Sequence, residues 1–330
     1  MATYDVFGVG NAIVDMQAQV ADSVLAELAI DKGIMTLVDN DQQQSILKTI
    51  ADNSINRCAG GSAANTIAAV ADFGGATAFV GKVGDDDTGT FFLKEMRDLG
   101  VFMDVVPAKE QNGTSVVLIT EDAQRTMLTN LAASTTLTEA DIDEAVIKDS
   151  EYVYVEGYLL TGDTTKAAAY KAMDLAKKNN IKVAFTASDP FLVNMIRDEI
   201  WELITGPVDL FFCNEEEAKS LTGEDDPIAA ATKIHEHAEN VALTLGKAGS
   251  IIMHGGESNP IEGVEVSAID TTGAGDMYAG ALLYGITNGM TWKQAGGLAS
   301  HAAGRVVSQL GARLSQKFTE SEVKQLGGLS

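Results

Sequence analysis

Short β-rich runs alternate with longer runs whose apolar residues recur at helical spacing along most of this sequence. YDVFGVG near the start is followed by GSAANTIAAVADFG, and the later runs IKVAFTAS and VDLFFCN adjoin further helical segments. Neighbouring parallel strands need long crossover connections, which helices usually provide. The alternation therefore predicts an α/β core of three layers, in which helices cover both faces of a mainly parallel sheet.

Two regions interrupt this alternation, approximately residues 12–38 and 104–132. Their strand-like runs AIVDMQAQV, GTSVVLIT and RTMLTNL have few helical runs between them. They predict a small antiparallel sheet beside the main one. Because no linker rich in Pro or Ser separates the regions, this second unit is expected to be inserted into a core formed by residues 1–11, 39–103 and 133–330.

Composition argues against several classes of partner. The 330 residues carry 47 acidic and 23 basic side chains, a formal charge of −24, which repels nucleic acids and anionic membranes. No run approaches the roughly 20 apolar residues that span a bilayer, and no signal-peptide pattern is present, so a cytoplasmic protein is expected. Cys58 and Cys213 form no CxxC pair, and neither a disulfide framework nor a zinc site is indicated.

The segment IDTTGAGDMYAGALLYG places an acidic residue, Asp276, after two glycines and before an apolar helical run. A helix start presents unpaired backbone N–H groups and the positive end of the helix dipole, and both attract an anion. Acidic residues also favour first helical turns without any ligand, so a simple cap is an alternative. A carboxylate that faces an anion across a small gap is the arrangement expected for transfer of a phosphoryl group to a hydroxyl.

Other phosphate and metal motifs are incomplete. GDDDTGT lacks the lysine of a P-loop, and GVGNAI does not continue as GxGxxG. HEH at residues 235–237 directs its two histidines to different sides of a helix, which indicates a solvated face rather than a metal site.

Several motifs together resemble the ribokinase-like (PfkB) kinase family. DTTGAGD resembles the second family signature and AGGSAANTIAAVADFGG the first, and GNAIVDM, GKVGDDDTG, NEEEA and TLGKAGS occur in the family's order. QRTMLTNLAAS, GYLLTGD and ASDPFL are similar to segments that line the nucleoside pocket of adenosine kinases. The resemblance implies an α/β core with a small β-sheet lid, ATP as phosphoryl donor, Mg²⁺ as cofactor and room for a monovalent cation such as K⁺. It also implies small-molecule partners and a monomer or homodimer.

The resemblance assigns the catalytic roles. Asp276 is similar to the family's catalytic base, and Gly273, Ala274 and Gly275 are similar to its anion hole. Arg125 matches a lid arginine that reaches toward the transferred phosphate, where a planar guanidinium suits paired hydrogen bonds. Without the resemblance, Arg125 would be an ordinary exposed arginine.

The acceptor site implied by the resemblance centres on Asp15, whose carboxylate accepts hydrogen bonds from two neighbouring ribose hydroxyls. Asn11 and Asn65 stand where further sugar contacts occur, and Gly60 and Gly61 allow the sugar to approach closely. On the residues alone, Asp15 would be a turn residue at a strand end and Asn65 a helix cap.

Phe191 in SDPF could pack against an acceptor base, although an aromatic residue is more often part of the core. The segment ASDPF departs from the adenosine kinase pattern at its third position. Asn214 and Glu217 resemble the family's NxxE pattern, whose side chains organise water around Mg²⁺, and the same spacing is that of a helix capping box. The residues that the resemblance assigns to ATP are Asn214, Gly246, Gly249, Gly273 and Gly275.

Two classes of function remain open. The first is a kinase that transfers the ATP γ-phosphate to a primary hydroxyl of a ribose-containing small molecule, foremost adenosine to give AMP, with a ribose- or fructose-like sugar as the alternative acceptor. The second is a catalytically silent nucleotide-binding or interaction protein on the same fold. Asp276 favours the kinase, because a pure binding protein has no need of a base.

Overall fold

The computed structural model describes residues 2–122 and 124–328. The strands are β1 (Tyr4–Val9), β2 (Ile13–Gln19), β3 (Met35–Leu37), β4 (Ile55–Gly60), β5 (Thr77–Val80), β6 (Gly113–Ile119), β7 (Arg125–Asn130), β8 (Ser150–Glu156), β9 (Lys182–Thr186), β10 (Leu210–Asn214), β11 (Asn240–Thr244), β12 (Gly249–His254) and β13 (Glu257–Glu262). They form a main sheet of order β13-β12-β11-β10-β9-β8-β1-β5 and a second sheet of order β3-β7-β6-β2-β4.

Helices connect most of the strands. They are α1 (Asp22–Glu27), α2 (Asn40–Thr49), α3 (Ser62–Asp72), α4 (Asp87–Asp98), α5 (Glu144–Lys148), α6 (Asp163–Lys178), α7 (Pro190–Met195), α8 (Arg197–Thr205), α9 (Glu215–Thr222), α10 (Pro227–His235), α11 (Ala274–Thr287), α12 (Trp292–Val307) and α13 (Glu320–Leu326). In the described part of the chain, none of these helices is long and apolar enough to cross a membrane.

The main sheet is covered on both faces. Its strands from β5 to β11 run parallel, and β12 and β13 add an antiparallel edge. Successive residues of a strand point to opposite faces. In β8, accordingly, Tyr154 joins an apolar core with α3, α11 and α12, whereas Val153 and Val155 join a core with α6, α8 and α9. These two helical layers confirm the predicted three-layer α/β core.

The second sheet differs in detail from the one predicted. It is mixed rather than antiparallel, because β2 pairs parallel with β6 and β3 pairs parallel with β7. Strand β4 comes from the region assigned to the core, whereas Ala108, from the region assigned to the second unit, bridges to Gly84 of the core. Helices α1 and α2 pack on this sheet over a small apolar core of their own.

The parallel strands place polar residues at one edge of the main sheet. Asn11 follows β1, Glu156 ends β8 and Asn214 ends β10. These are carboxyl ends, the edge at which ligands bind in open α/β sheets.

Candidate active site

A cavity of about 280 Å³ is lined by residues of both sheets. Asn11, Glu217 and Asp276 reach its wall from the core. Asp15 in β2 and Arg125 in β7 reach it from the second sheet. The wall also includes Gly61, Asn65, Asn214, Gly273, Ala274 and Gly275. The structure thus brings together residues from motifs that are far apart in the sequence.

One wall of the cavity is the start of α11. Gly273 precedes this helix with φ 73°, in the left-handed region that favours glycine. A Cβ added to Gly273 would lie 2.5 Å from the Cβ of Ala312, so close packing also requires a glycine there. Apart from its chain neighbours and the backbone of its own helix, no described residue has an atom within 4 Å of a Cβ added to Gly275, so the helix start is open. Its unpaired N–H groups can therefore receive an anion.

The Asp276 carboxylate, in the first turn of α11, is held at both oxygens. The Ser62 hydroxyl donates to Oδ1 at 2.7 Å, and the Asn65 side-chain amide donates to Oδ2 at 3.1 Å. Removal from bulk water raises the pKa of Asp276, and these two donors together with the charges of Arg125 and Arg313 oppose that rise. A carboxylate oxygen that accepts one hydrogen bond retains a lone pair, so Asp276 can still accept a proton from an attacking hydroxyl.

The environment of the Asp15 carboxylate differs from that of Asp276. Its side chain is 7% exposed, and a Cβ added to Gly60 would lie 2.4 Å from its Oδ2. Burial raises the pKa of Asp15 to about 7, and the charge of Arg313 acts in the opposite direction. Among the described residues none donates a hydrogen bond to this carboxylate. A ligand that donates hydrogen bonds would therefore stabilise its charged form.

Glu156 joins three elements beneath the cavity. Its Oε1 accepts from the main-chain N–H and the side-chain amide of Asn11 at 2.8 and 2.6 Å, and its Oε2 accepts from the Ala63 N–H at 2.7 Å. The residue is 0% exposed. Burial raises the pKa of Glu156 to about 7, although its three donors lower it. Glu156 thus connects β8 to β1 and α3 and fixes the orientation of the Asn11 amide.

Asn214 and Glu217 form the predicted capping box. The Glu217 N–H donates to Asn214 Oδ1 at 2.9 Å, and the Asn214 N–H donates to Glu217 Oε2 at 2.8 Å. Burial raises the pKa of Glu217 to about 7, a cost that a nearby cation would offset. Amide and carboxylate oxygens of this kind suit a Mg²⁺ ion that keeps most of its water and phosphate ligands, and Mg²⁺ binding here stays a prediction.

Arg125 links the second sheet to the helix start. Its Nη1 donates to the carbonyl oxygen of Thr271 at 3.4 Å, just before the turn that opens α11. Its guanidinium is therefore close to the helix N-terminus and can contact an anion held there.

Four residues named from the sequence do not reach the cavity wall: Gly60, Phe191, Gly246 and Gly249. Phe191 in α7 is 75% exposed, so a contact with an acceptor base stays a prediction. Gly246 lies between β11 and β12 with φ 55°, and Gly249 is the first residue of β12 with φ 99°. A Cβ added to Gly249 would lie 2.1 Å from the carbonyl oxygen of Ile261, so packing alone explains this glycine. Contacts of Gly246 and Gly249 with ATP also stay predictions.

The structure adds three residues that were not predicted from the sequence: Ser62, Glu156 and Arg313. Their partners lie 214, 145 and 248 residues away along the chain, and no local pattern reports such contacts. Glu156 alone had a usable signal. Glu156 lies within the apolar run YVYVEGYLL, and a glutamate is rarely buried unless hydrogen-bond donors contact its carboxylate. Its position therefore predicts such donors nearby.

Comparison with known proteins identifies the family of this chain. A profile of the pfkB family carbohydrate kinases matches residues 28–318. The chain belongs to the PfkB family. The crystal structure of a probable sugar kinase from Rhizobium etli CFN 42 is similar over 100% of both chains, with a TM-score of 0.93 and 33% identity. An adenosine kinase from Sinorhizobium meliloti is similar over 96% of this chain and 97% of its own, with a TM-score of 0.90 and 36% identity. A 5-dehydro-2-deoxygluconokinase from Listeria monocytogenes serotype 4b is 29% identical over 269 residues, 78% of this chain and 82% of that protein.

Membership of the PfkB family makes this chain a phosphotransferase that uses ATP and an alcohol group as acceptor. It confirms the family and the fold predicted from the sequence motifs, and it disfavours the catalytically silent alternative. The similar kinases are named for different acceptors, so family membership alone does not define the acceptor.

Proposed function

We propose that this PfkB kinase transfers the γ-phosphate of ATP to a primary hydroxyl of a ribose-containing small molecule, foremost the 5′-hydroxyl of adenosine, to give AMP. The observation that carries the proposal is the presence of two differently supported carboxylates, Asp276 and Asp15, in the wall of one cavity. We further propose a role in purine salvage in the cytoplasm, as a monomer or homodimer.

The phosphate side of the proposed site is the start of α11. The acceptor hydroxyl oxygen forms a bond to the γ-phosphorus, the bond from that phosphorus to ADP breaks, and the hydroxyl proton passes to Asp276. The N–H groups around Gly275 and the guanidinium of Arg125 stabilise the charge of the transferred group. Ser62 and Asn65 keep the Asp276 carboxylate in place throughout.

The acceptor side is the pocket around Asp15. An ionised carboxylate has no donor of its own, whereas two vicinal hydroxyls can each donate a hydrogen bond to it. Because Gly60 has no side chain, its backbone can lie directly against the Asp15 carboxylate. Because Asp15 is buried without a donor from the described residues, a ribose-like diol would satisfy it.

The cavity wall also favours a nucleoside over a free sugar. It includes the apolar or aromatic side chains of Met35, Leu37, Met127, Leu131 and Tyr158. Side chains of this kind line pockets for flat ring systems. The similarity to the adenosine kinase of Sinorhizobium meliloti supports the same choice.

Mg²⁺ is proposed next to Asn214 and Glu217, through water. When bound there, the ion would neutralise part of the charge on the ATP phosphates. A monovalent cation such as K⁺ stays a prediction without assigned residues.

A sugar is the second candidate acceptor. The similarity to the probable sugar kinase of Rhizobium etli and to the Listeria 5-dehydro-2-deoxygluconokinase supports it. A sugar could use Asp15 and Asp276 as a nucleoside would, but it would leave the apolar wall without contacts.

ATP consumption against a panel of adenosine, other nucleosides, ribose and fructose tests the proposal. We expect adenosine to give the highest kcat/KM of the panel. A higher kcat/KM for ribose or fructose than for every nucleoside would replace adenosine by a sugar, and no turnover with any acceptor would contradict the proposed reaction.

A further inference from the structure

Arg313 approaches the catalytic centre from a part of the chain that contains none of the recognised motifs. We propose that Arg313 is a positioning residue for phosphoryl transfer, which orients the Asn65 side-chain amide so that its NH₂ group donates to Asp276. The inference rests on the proposed function, because it assigns a role in that same reaction.

The loop that carries Arg313 is fixed against the start of α11. The Gly311 N–H donates to Asp270 Oδ2 at 2.8 Å, and the Thr272 N–H donates to Asp270 Oδ1 at 2.9 Å. Asp270 is 0% exposed. Ala312 packs so closely on Gly273 that a Cβ at Gly273 would collide with it. The loop after α12 and the anion site therefore form one rigid unit.

A chain of hydrogen bonds runs from Arg313 to the catalytic carboxylate. Arg313 Nε donates to Asn65 Oδ1 at 3.1 Å, and Asn65 Nδ2 donates to Asp276 Oδ2 at 3.1 Å. A second guanidinium nitrogen, Nη2, contacts Met96 Sδ at 3.2 Å, which holds the side chain in place.

These hydrogen bonds select one orientation of the Asn65 side-chain amide. The oxygen and the NH₂ group of an asparagine have nearly the same shape, so packing alone does not distinguish the two orientations. A guanidinium can only donate, and therefore it forces Asn65 Oδ1 toward Arg313 and Asn65 Nδ2 toward Asp276. The opposite orientation would place an amide oxygen against the Asp276 carboxylate.

The charge of Arg313 acts on the same site. The ionisable groups that interact with its charge include Asp15 on β2, Cys58 on β4, Asp72 on α3, Glu95 on α4 and Asp276 on α11. Its positive charge lowers the pKa of Asp15 and of Asp276 against the effect of burial. Arg313 is thus expected to influence both the orientation and the ionisation of the catalytic carboxylate.

Arg313→Gln tests the proposal with whichever acceptor the wild type phosphorylates best. Loss of a hydrogen bond that supports a charged group is expected to lower kcat about 10- to 100-fold. The KM for ATP should change little, because Arg313 does not line the cavity. The acidic limb of the pH profile of kcat should move to higher pH, because Asp276 loses a donor and a neighbouring positive charge.

Arg313→Lys separates charge from orientation. Lysine keeps the positive charge but has a methylene group where arginine has the Nε–H that donates to Asn65, so the acidic limb of the pH profile should return toward the wild-type position while kcat stays low. Arg305→Gln is the matched control. Arg305 pairs with Glu322 and stacks on Phe318, away from the cavity, and this variant should keep the wild-type kcat and pH profile.

Wild-type kcat and pH profile in Arg313→Gln would overturn the proposal, and so would an equal loss of kcat in Arg305→Gln. A crystal structure of Arg313→Gln, or of Arg313→Lys if the first variant does not fold, supplies a readout without activity. We expect the hydrogen bond between Asn65 and Asp276 to be lost, and its retention would contradict the inference. Inactivity of the wild type toward every acceptor would instead contradict the proposed function, and the crystal structure would still decide the role of Arg313.

Discussion

Asp276 and Asp15 face the same cavity but are held in opposite ways. Asp276 lies in the first turn of a helix in the core, and it accepts hydrogen bonds from Ser62 and Asn65. Asp15 lies on a strand of the second sheet, and among the described residues it has no donor. Burial raises the pKa of both carboxylates.

Under the proposed function, this difference corresponds to a division of labour between the core and the second sheet. A base must be in place before the reaction, so its support comes from the protein itself. A binding group can instead be completed by the ligand, since hydroxyl donors from the acceptor replace water and satisfy the buried charge. Loss of Asp276 should therefore affect turnover, and loss of Asp15 should affect recognition.

The largest expected effect is that of Asp276→Asn. The amide cannot accept the hydroxyl proton, and kcat should fall at least about 100-fold, with acceptor affinity nearly unchanged. Steady-state kinetics measure the change. Asp226→Asn is a suitable control, because Asp226 caps α10 outside the cavity and asparagine caps a helix equally well. Wild-type turnover in Asp276→Asn would show that another group acts as the base.

Asp15→Ala should have a smaller and more selective effect. In the wild type, a missing hydroxyl leaves the buried carboxylate short of a donor, a cost of about 1 to 3 kcal/mol. Adenosine should therefore exceed 2′-deoxyadenosine and 3′-deoxyadenosine by at least about tenfold in kcat/KM. Asp15→Ala should remove most of this preference, whereas Asp22→Ala, at an exposed residue of α1, should leave it intact. An undiminished preference in Asp15→Ala would exclude Asp15 as the diol contact.

The smallest expected effect is a change in hydrogen exchange. If the second sheet closes over the acceptor, exchange in residues 12–38 and 112–132 should slow when nucleoside is added. Exchange in α6 and α12, which do not line the cavity, should stay the same. Identical exchange in residues 12–38 and 112–132 with and without nucleoside, under conditions where binding is measured separately, would rule out closure.

The features that follow from local sequence patterns were predictable. The alternation of strands and helices predicts the three layers of the core, and the NxxE spacing predicts the capping box of Asn214 and Glu217. Strand β4 was missed because INRCAG does not alternate apolar with polar residues and its first three residues are exposed, so it lacks the pattern of a half-buried strand. The direction of pairing in the second sheet has no local signal either, because it depends on the path of the chain between strands.

The site was predictable only where it belongs to a motif. Asp276 and Asp15 could be named from their neighbours in sequence, but the groups that support or perturb them could not. Ser62 reaches Asp276 across 214 residues and Arg313 reaches Asn65 across 248. Only the fold brings these residues together, so their contacts required the structure.

Direct binding of adenosine to Asp276→Asn and Asp15→Ala, measured by calorimetry side by side with the wild type, tests the division of labour most directly. We expect Asp276→Asn to bind adenosine within about twofold of the wild type, and Asp15→Ala to bind at least about tenfold more weakly. Wild-type affinity in Asp15→Ala, or a loss in Asp276→Asn as large as the loss in Asp15→Ala, would contradict the account.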